Sequence, residues 1–182
     1  MQRAAVALER DHEREALRIL RPLRDDIPGA ACVRELLGLA LYRCGYYQAA
    51  AKELEELHRL TGSLDQHPVL MDCYRAQGRW RRVSTLWGEL RRGSTRPEIA
   101  VEGRIVAAGA LSDRDRLDDA VELLRRADRP KSSPAEHDLR LWYALADLEE
   151  RSGNLPHART LFDRIAAADP GFADAAERRT GL

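Results

Sequence analysis

Lysine is almost missing from this sequence: among 30 basic residues only Lys52 and Lys131 are lysine, and the others are arginine. With its many alanines and leucines, that bias reads as the codon usage of a GC-rich, bacterial genome, not as chemistry. A net charge is missing too, because 30 acidic residues balance the basic ones along the chain. That balance excludes the whole-protein field of a strong nucleic-acid or anionic-membrane binder, so any recognition must come from local patches. Cysteine is scarce and odd in number: Cys32, Cys44 and Cys73 show no Cys-x-x-Cys spacing and sit within helical apolar patterns. They are expected to be reduced packing residues of a cytoplasmic protein. Long apolar runs are absent, since Met1-Gln2-Arg3-Ala4 leads into no signal-like h-region and no stretch approaches a bilayer span. A soluble, cytoplasmic protein with no membrane partner is the expectation.

Recognisable reaction chemistry is also lacking. There is no phosphate-cradling Gly-rich loop, no Gly-x-Ser-x-Gly elbow and no cysteine with a positioned histidine. His12, His58, His67, His137 and His157 fall in different parts of the chain, without the i, i+4 or paired spacing of a metal-ligand set. Asp113-Arg114-Asp115-Arg116-Leu117-Asp118-Asp119 alternates acidic residues like the start of a calcium loop. It fails at Leu117, where a ligand belongs, and at Asp118, where a turn glycine belongs. It is expected to be a solvated inter-helix loop whose aspartates cap the next helix. No catalytic residue, cofactor site or metal site is predicted, and the chain is not expected to be an enzyme.

What the sequence does contain is a repeat. The chain has 182 residues, enough to bury roughly 70% of its unfolded surface without staples. Ala16, Ala50, Val83, Ala120 and Ala158 recur every 33 to 38 positions, and Leu20, Leu54, Trp87, Leu124 and Phe162 follow each four residues later. Leu23, Leu57, Leu90, Ala127 and Ile165 follow at seven, while Tyr47, Trp80, Leu117 and Leu155 precede four of the anchors by three. Each set predicts the buried stripe of a helix. Gly45, Gly78 and Gly153 stand five residues ahead of three anchors, suited to the left-handed backbone that ends a preceding helix. Preceding helices show stripes of their own: Leu37, Gly38 and Leu41; Leu70 and Tyr74; Trp142, Leu145 and Ala146. The spacing predicts a helix-turn-helix hairpin, repeated, with Trp80, Trp87 and Trp142 in the core.

Here the sequence resembles the tetratricopeptide repeat family. Trp142, Leu145, Ala146, Gly153, Ala158, Phe162 and Pro170 fall at the family's spacings, and Leu37-Gly38, Gly45, Tyr47 and Ala50 match nearly as well. The resemblance implies an all-α fold, a right-handed superhelical solenoid of about five antiparallel hairpins forming a single domain over 1–182. Punctuation places the repeats at 1–28, 29–62, 63–96, 97–133 and 134–170, with Pro68, Pro97 and Pro134 in helix first turns and 171–182 a short capping segment, helical through Ala173 to Arg178. Two departures predict irregular stacking of the third and fourth repeats. Met71 and Val83 replace small residues, and the fourth repeat has no turn glycine and carries extra residues at Ser112–Arg116 and Pro130–Pro134.

In this family the first helices of successive repeats line a concave groove. Carried over by position, the residues facing it are Glu35, Leu39, Tyr42 and Arg43, then Asp72 and Arg75, then Arg140, Tyr143, Asp147, Glu150 and Arg151, with Glu102 and Arg104 added for the fourth repeat. Glu35 and Leu39 replace two of the Lys and Asn positions with which some relatives clamp a terminal carboxylate, so no such clamp is expected. The implied function is a non-catalytic scaffold holding a protein or peptide in the groove or through its open ends, including a homodimer through the ends. The alternative is a nucleic-acid-binding or regulatory repeat module using the basic stretch Arg79, Arg81, Arg82, Arg91, Arg92 and Arg96. A solvated outer face pairing partly with Glu89 is the plainer reading of that stretch, and nucleic acid is not the expected partner.

Overall fold

A computed structural model describes residues 1–93 and 96–181, and every described element is helical: α1 (Gln2–Glu9), α2 (Glu13–Asp26), α3 (Ala31–Arg43), α4 (Tyr47–Thr61), α5 (His67–Ala76), α6 (Trp80–Gly93), α7 (Pro97–Ser112), α8 (Leu117–Arg125), α9 (Glu136–Arg151), α10 (Leu155–Ala168) and α11 (Ala175–Gly181). Ser94 and Thr95, in the third expected repeat, and Leu182, the end of the expected cap, lie outside the described residues. The all-α fold of helical hairpins is as expected. The chain forms two compact units, Met1–Ser94 and Thr95–Leu182. The first holds the hairpins α1–α2, α3–α4 and α5–α6; the second holds α7–α8 and α9–α10, with α11 packed on α10.

Within each hairpin the expected anchor is buried. Ala16, Ala50, Ala120 and Ala158 are 0% exposed and Val83 is 3% exposed. Twelve residues before each anchor, on the first helix of the pair, stands a second buried residue: Ala4, Gly38, Met71, Ala108 and Ala146. The constant offset means that every hairpin closes around the same contact, and larger groups there would cost roughly 1–3 kcal/mol of overpacking. Gly38 shows how tight it is: a Cβ would lie 2.6 Å from Leu54 Cδ2. The third and fourth hairpins are therefore regular inside, and Met71 and Val83 fill the space that smaller residues leave elsewhere.

The turn is just as uniform. A left-handed residue stands five positions ahead of every anchor: Gly45 (φ 76°), Gly78 (φ 68°) and Gly153 (φ 84°), but also Asp11 (φ 55°) and Asp115 (φ 58°). The following amide then reaches back five residues, as in His12 N–H to the Ala7 carbonyl, Tyr46 to Leu41, Arg79 to Tyr74, Arg116 to Leu111 and Asn154 to Glu149, at 2.8–3.1 Å. This is the bond that closes a helix C-terminus with a left-handed residue, and aspartate is among the few non-glycine residues that tolerate the position. Ser112–Arg116 is thus an ordinary turn and not an insertion. The added length of the fourth repeat lies instead in the segment 126–135 after α8.

Several expectations are corrected. Two of the positions three before the anchors stay largely outside the stripe: Tyr47 and Leu155, at the first residue of α4 and α10, are 37% and 42% exposed. The Tyr47 ring is tilted against Tyr42 of α3, while Leu117 packs against the core. Trp142 is buried, but Trp80 and Trp87 are half-buried, and Cys32 is exposed while Cys73 is buried. Pro97 and Pro68 begin α7 and α5 as expected, whereas Pro134 precedes α9 by two residues. No aspartate caps α8. Its cap position is Arg116, and Asp118 and Asp119 lie in the first turn, where the helix dipole favours them. The cap helix starts at Ala175 instead of Ala173, because Ala173 takes φ 48°. No described helix is long and apolar enough to cross a membrane.

Candidate functional site

In the first unit the residues carried over to the groove lie on α3 and α5, and most are tied to a neighbouring first helix. The Tyr42 hydroxyl donates to Asp72 Oδ2 at 2.7 Å. Burial, then the Asp72 carboxylate, push the phenol well above its ordinary value, so it stays a protonated donor. Arg75 lies 3.4 Å from the same carboxylate, and Gln66 Nε2 donates to Glu35 at 2.9 Å. Arg43 donates to the Leu8 carbonyl at the end of α1 at 2.7 Å, where the helix dipole favours a cation. Leu39 is half-buried among them. On this face the predicted residues come together as links from α1 to α3 to α5.

The second unit arranges its counterparts differently. Arg140 grips Glu102 of α7 through both Nε and Nη2, the latter at 2.8 Å, and Arg151 donates to Ser112 Oγ at 2.6 Å. Arg104 leaves the face and donates to the Leu123 carbonyl at 3.0 Å, which corrects its placement. Tyr143, Asp147 and Glu150 converge on a residue that sequence reasoning missed: Arg178 of α11. Its Nη2 donates to Asp147 at 3.0 Å and Glu150 at 2.6 Å, and its Nη1 lies 3.3 Å from the Tyr143 hydroxyl. The guanidinium also sits 5.5 Å from the Tyr143 ring centroid and 4.7 Å from that of Phe162. Tyr143 in turn donates to Asp174 at 2.6 Å and meets Phe162 and Phe172 edge-on. Two carboxylates and two ring faces around one planar cation form a guanidinium site. A signal for it was present: Tyr143, Asp147 and Glu150 form an acidic, aromatic trio on one helical face, and Arg178 is among the next cations downstream of α10.

Three arginines of the basic stretch Arg79–Arg96 are engaged with their own surroundings, while Arg81, Arg91 and Arg92 are exposed. Arg79 and Arg82 lie over the Tyr74 ring at 5.8 and 5.1 Å, Arg82 pairs with Glu55, and Arg96 donates to Glu98 at 2.8 Å. The expected pairing with Glu89 is replaced by another: Glu89 Oε2 lies 3.2 Å from His67 Nε2. His67 is buried, and desolvation holds its imidazole below the ordinary value against the opposing pull of Glu89. Beside it lies His58, so two histidines that look dispersed in sequence are neighbours in space. Among the described residues these three side chains are the group able to hold a metal ion.

One buried carboxylate braces each unit. Glu53 accepts from Arg24 at 2.8 Å and from Arg34. Glu149, fully buried, receives Arg125 through two bonds of 2.6 and 2.8 Å, Asn154 at 2.8 Å and His157 at 2.9 Å. Burial alone would raise the Glu149 carboxyl, but Arg125, His157 and Asn154 more than offset that and hold it below its ordinary value.

Comparison with known proteins adds the following. The tetratricopeptide repeat family model matches residues 139–180, the segment that carries α9, α10 and Arg178. A thermophilic TPR protein from Thermus thermophilus has the same fold with TM-score 0.72 at 15% identity, over 99% of this chain and 95% of that one. MamA from Desulfovibrio magneticus RS-1 is similar with TM-score 0.62 at 13% identity, over 94% and 93%. YrrB, a TPR protein with an unusual peptide-binding site, matches with TM-score 0.55 at 16% identity, over 97% and 88%. No curated protein sequence matches. At these identities the likeness shows the fold, a repeat of helical hairpins, and no more.

Proposed function

We propose that this tetratricopeptide-repeat protein is a cytoplasmic scaffold without catalysis of its own, and that it holds a protein partner on its first-helix faces. Glu35, Leu39, Tyr42, Arg43, Asp72 and Arg75 form one face, and Arg140, Tyr143, Asp147, Glu150 and Arg151 the other. The second is the side where a basic segment of the partner docks. One observation carries the reading: Tyr143, Asp147, Glu150 and Phe162 already hold a guanidinium, that of Arg178, in a pocket of the right charge and planarity. Between part-exposed partners such as these, charge-assisted hydrogen bonds contribute under about 1 kcal/mol, with a few tenths more from the ring faces. The helix that supplies Arg178 has seven residues and buries Ala175, with Phe172 and Asp174 just before it meeting Tyr143, so it is the smallest piece that must move to free the pocket. An arginine-bearing segment can therefore compete for the pocket, against an intramolecular rival whose effective concentration is on the order of millimolar. The peptide-binding role stated for YrrB supports the class of function. The basic stretch Arg79–Arg96 gives no comparable support for nucleic acid, because Arg79, Arg82 and Arg96 are engaged within the chain.

The test uses a fluorescent peptide copied from residues 172–181, with the full-length chain and its Arg178→Ala variant. The variant should bind the peptide at least about tenfold more tightly than the parent chain does, since its own rival is gone. Adding Asp147→Asn and Glu150→Gln to the variant should remove that gain. Equal anisotropy titrations for parent and variant would overturn the reading. A shift of the variant to a dimer without peptide binding would point to association between copies instead.

A further inference from the structure

His58 lies near the end of α4, His67 opens α5 and Glu89 stands on α6, and no sequence spacing joins them. In space the two imidazoles meet edge to face with ring centroids 4.7 Å apart. The Glu89 carboxylate closes the third side, 3.2 Å from His67 Nε2. One donor atom from each residue lies within 4.8 Å of the other two. The His67 side chain is 2% exposed and that of Glu89 39%, so the cluster is walled on the histidine side and open to water on the carboxylate side.

Neighbours fix where the hydrogens are. The Ser63 carbonyl, 2.9 Å from His58 Nδ1, can only accept. Nδ1 therefore carries the hydrogen, and Nε2 of His58 keeps its lone pair. A backbone carbonyl on the far nitrogen is the support that orients metal-ligating histidines and sets their tautomer. Glu89 likewise only accepts, so His67 Nε2 carries the hydrogen, which must move to Nδ1 of the same ring before Nε2 can bind a cation.

We propose that His58, His67 and Glu89 form a site for a divalent transition metal, zinc first, with the fourth position open to water. Two imidazoles and a carboxylate are a ligand set for a borderline cation and a poor one for calcium or magnesium, which take oxygen ligands. With bonds of about 2.0–2.1 Å, ligand atoms on a tetrahedral zinc stand about 3.3 Å apart and the centroids of two bound imidazoles about 5 Å apart. The His67–Glu89 edge and the ring spacing are already close to those values. Only His58 must approach, by at most about 1.5 Å, through rotation of a half-buried side chain. A bound ion would tie α4 of the second hairpin to both helices of the third. The cysteine sharing this part of the unit does not compete, since burial pushes the Cys73 thiol up to about 12. The site is independent of the partner-binding reading above.

Equilibrium dialysis of the full chain against zinc chloride, read by elemental analysis, tests it together with the visible spectrum of the cobalt(II) form. One ion per chain is expected, with the intense absorption of tetrahedral cobalt. Thermal unfolding should shift upward by on the order of 5–10 °C at a hundredfold excess over the dissociation constant. Glu89→Gln and His58→Gln should each weaken zinc at least about tenfold, and His157→Gln in the second unit should not. Glu89→Gln keeps an acceptor for His67 and is well exposed, so its metal-free melting should match the parent and separate loss of a ligand from loss of fold. Absence of saturable binding below about 1 mM zinc, or less than tenfold weakening in both site variants, would overturn the proposal.

Discussion

The two units solve the same packing problem and link their first helices alike, but the second also places a residue of its C-terminal helix on that face. In the first, polar side chains of α1, α3 and α5 satisfy one another: Tyr42 with Asp72, Glu35 with Gln66, Arg43 with the end of α1. In the second, Tyr143, Asp147 and Glu150 are satisfied by Arg178 from the cap. On the proposed reading, the first face binds only what respects its existing links, while the second frees its binding chemistry when Arg178 leaves. Likeness of fold thus says little about which hairpin recognises anything.

Changes at four positions sharpen that contrast, from the largest effect to the smallest. Glu149→Ala should cost about 2–3 kcal/mol in urea unfolding, because it leaves Arg125, Asn154 and His157 without their shared acceptor. Its pH dependence has a definite sign. A carboxyl held below its ordinary value stabilises the fold above about pH 4.5, and this is lost as pH falls through its folded value. Glu149→Gln should therefore flatten the acid limb of the stability curve below about pH 4.5. Gly78→Ala in the first unit should cost about 1 kcal/mol, since the added Cβ meets a φ of +68°. Arg178→Ala should cost under about 1 kcal/mol globally, its partners being part-exposed. Hydrogen exchange should nevertheless quicken across 175–181 while α9 and α10 stay protected. Asp115→Gly should raise stability by up to about 0.5 kcal/mol, because the turn it occupies suits glycine better.

Much of the fold was legible because burial leaves a periodic mark. The five anchors and the stripes after them stand in the sequence as small and large apolar residues at fixed offsets, and they fall where the hairpins close. The turns at Asp11 and Asp115 escaped because aspartate there looks like a solvated loop residue, and only backbone torsion shows it doing what glycine does elsewhere. Tyr47 and Leu155 misled for the reverse reason. Their spacing continues the stripe, but at the first residue of a helix they are covered on one side at most. Of the proposed recognition residues, those on α9 come from position alone, and the cation they surround was missed, since no local pattern ties Arg178 to residues 28 and more positions earlier. His58 and His67 were hidden in the same way, their pairing being a product of hairpin stacking.

The recurring left-handed turn also bears on how the chain reaches this structure. Each one closes its helix pair with a bond spanning only five residues, so the contacts that order a hairpin are made early and locally, before distant segments need to meet. Chains built this way have low contact order and fold fast, and any of the five hairpins can serve as the starting point from which its neighbours grow. Weakening one turn should then change where folding begins more than whether it finishes.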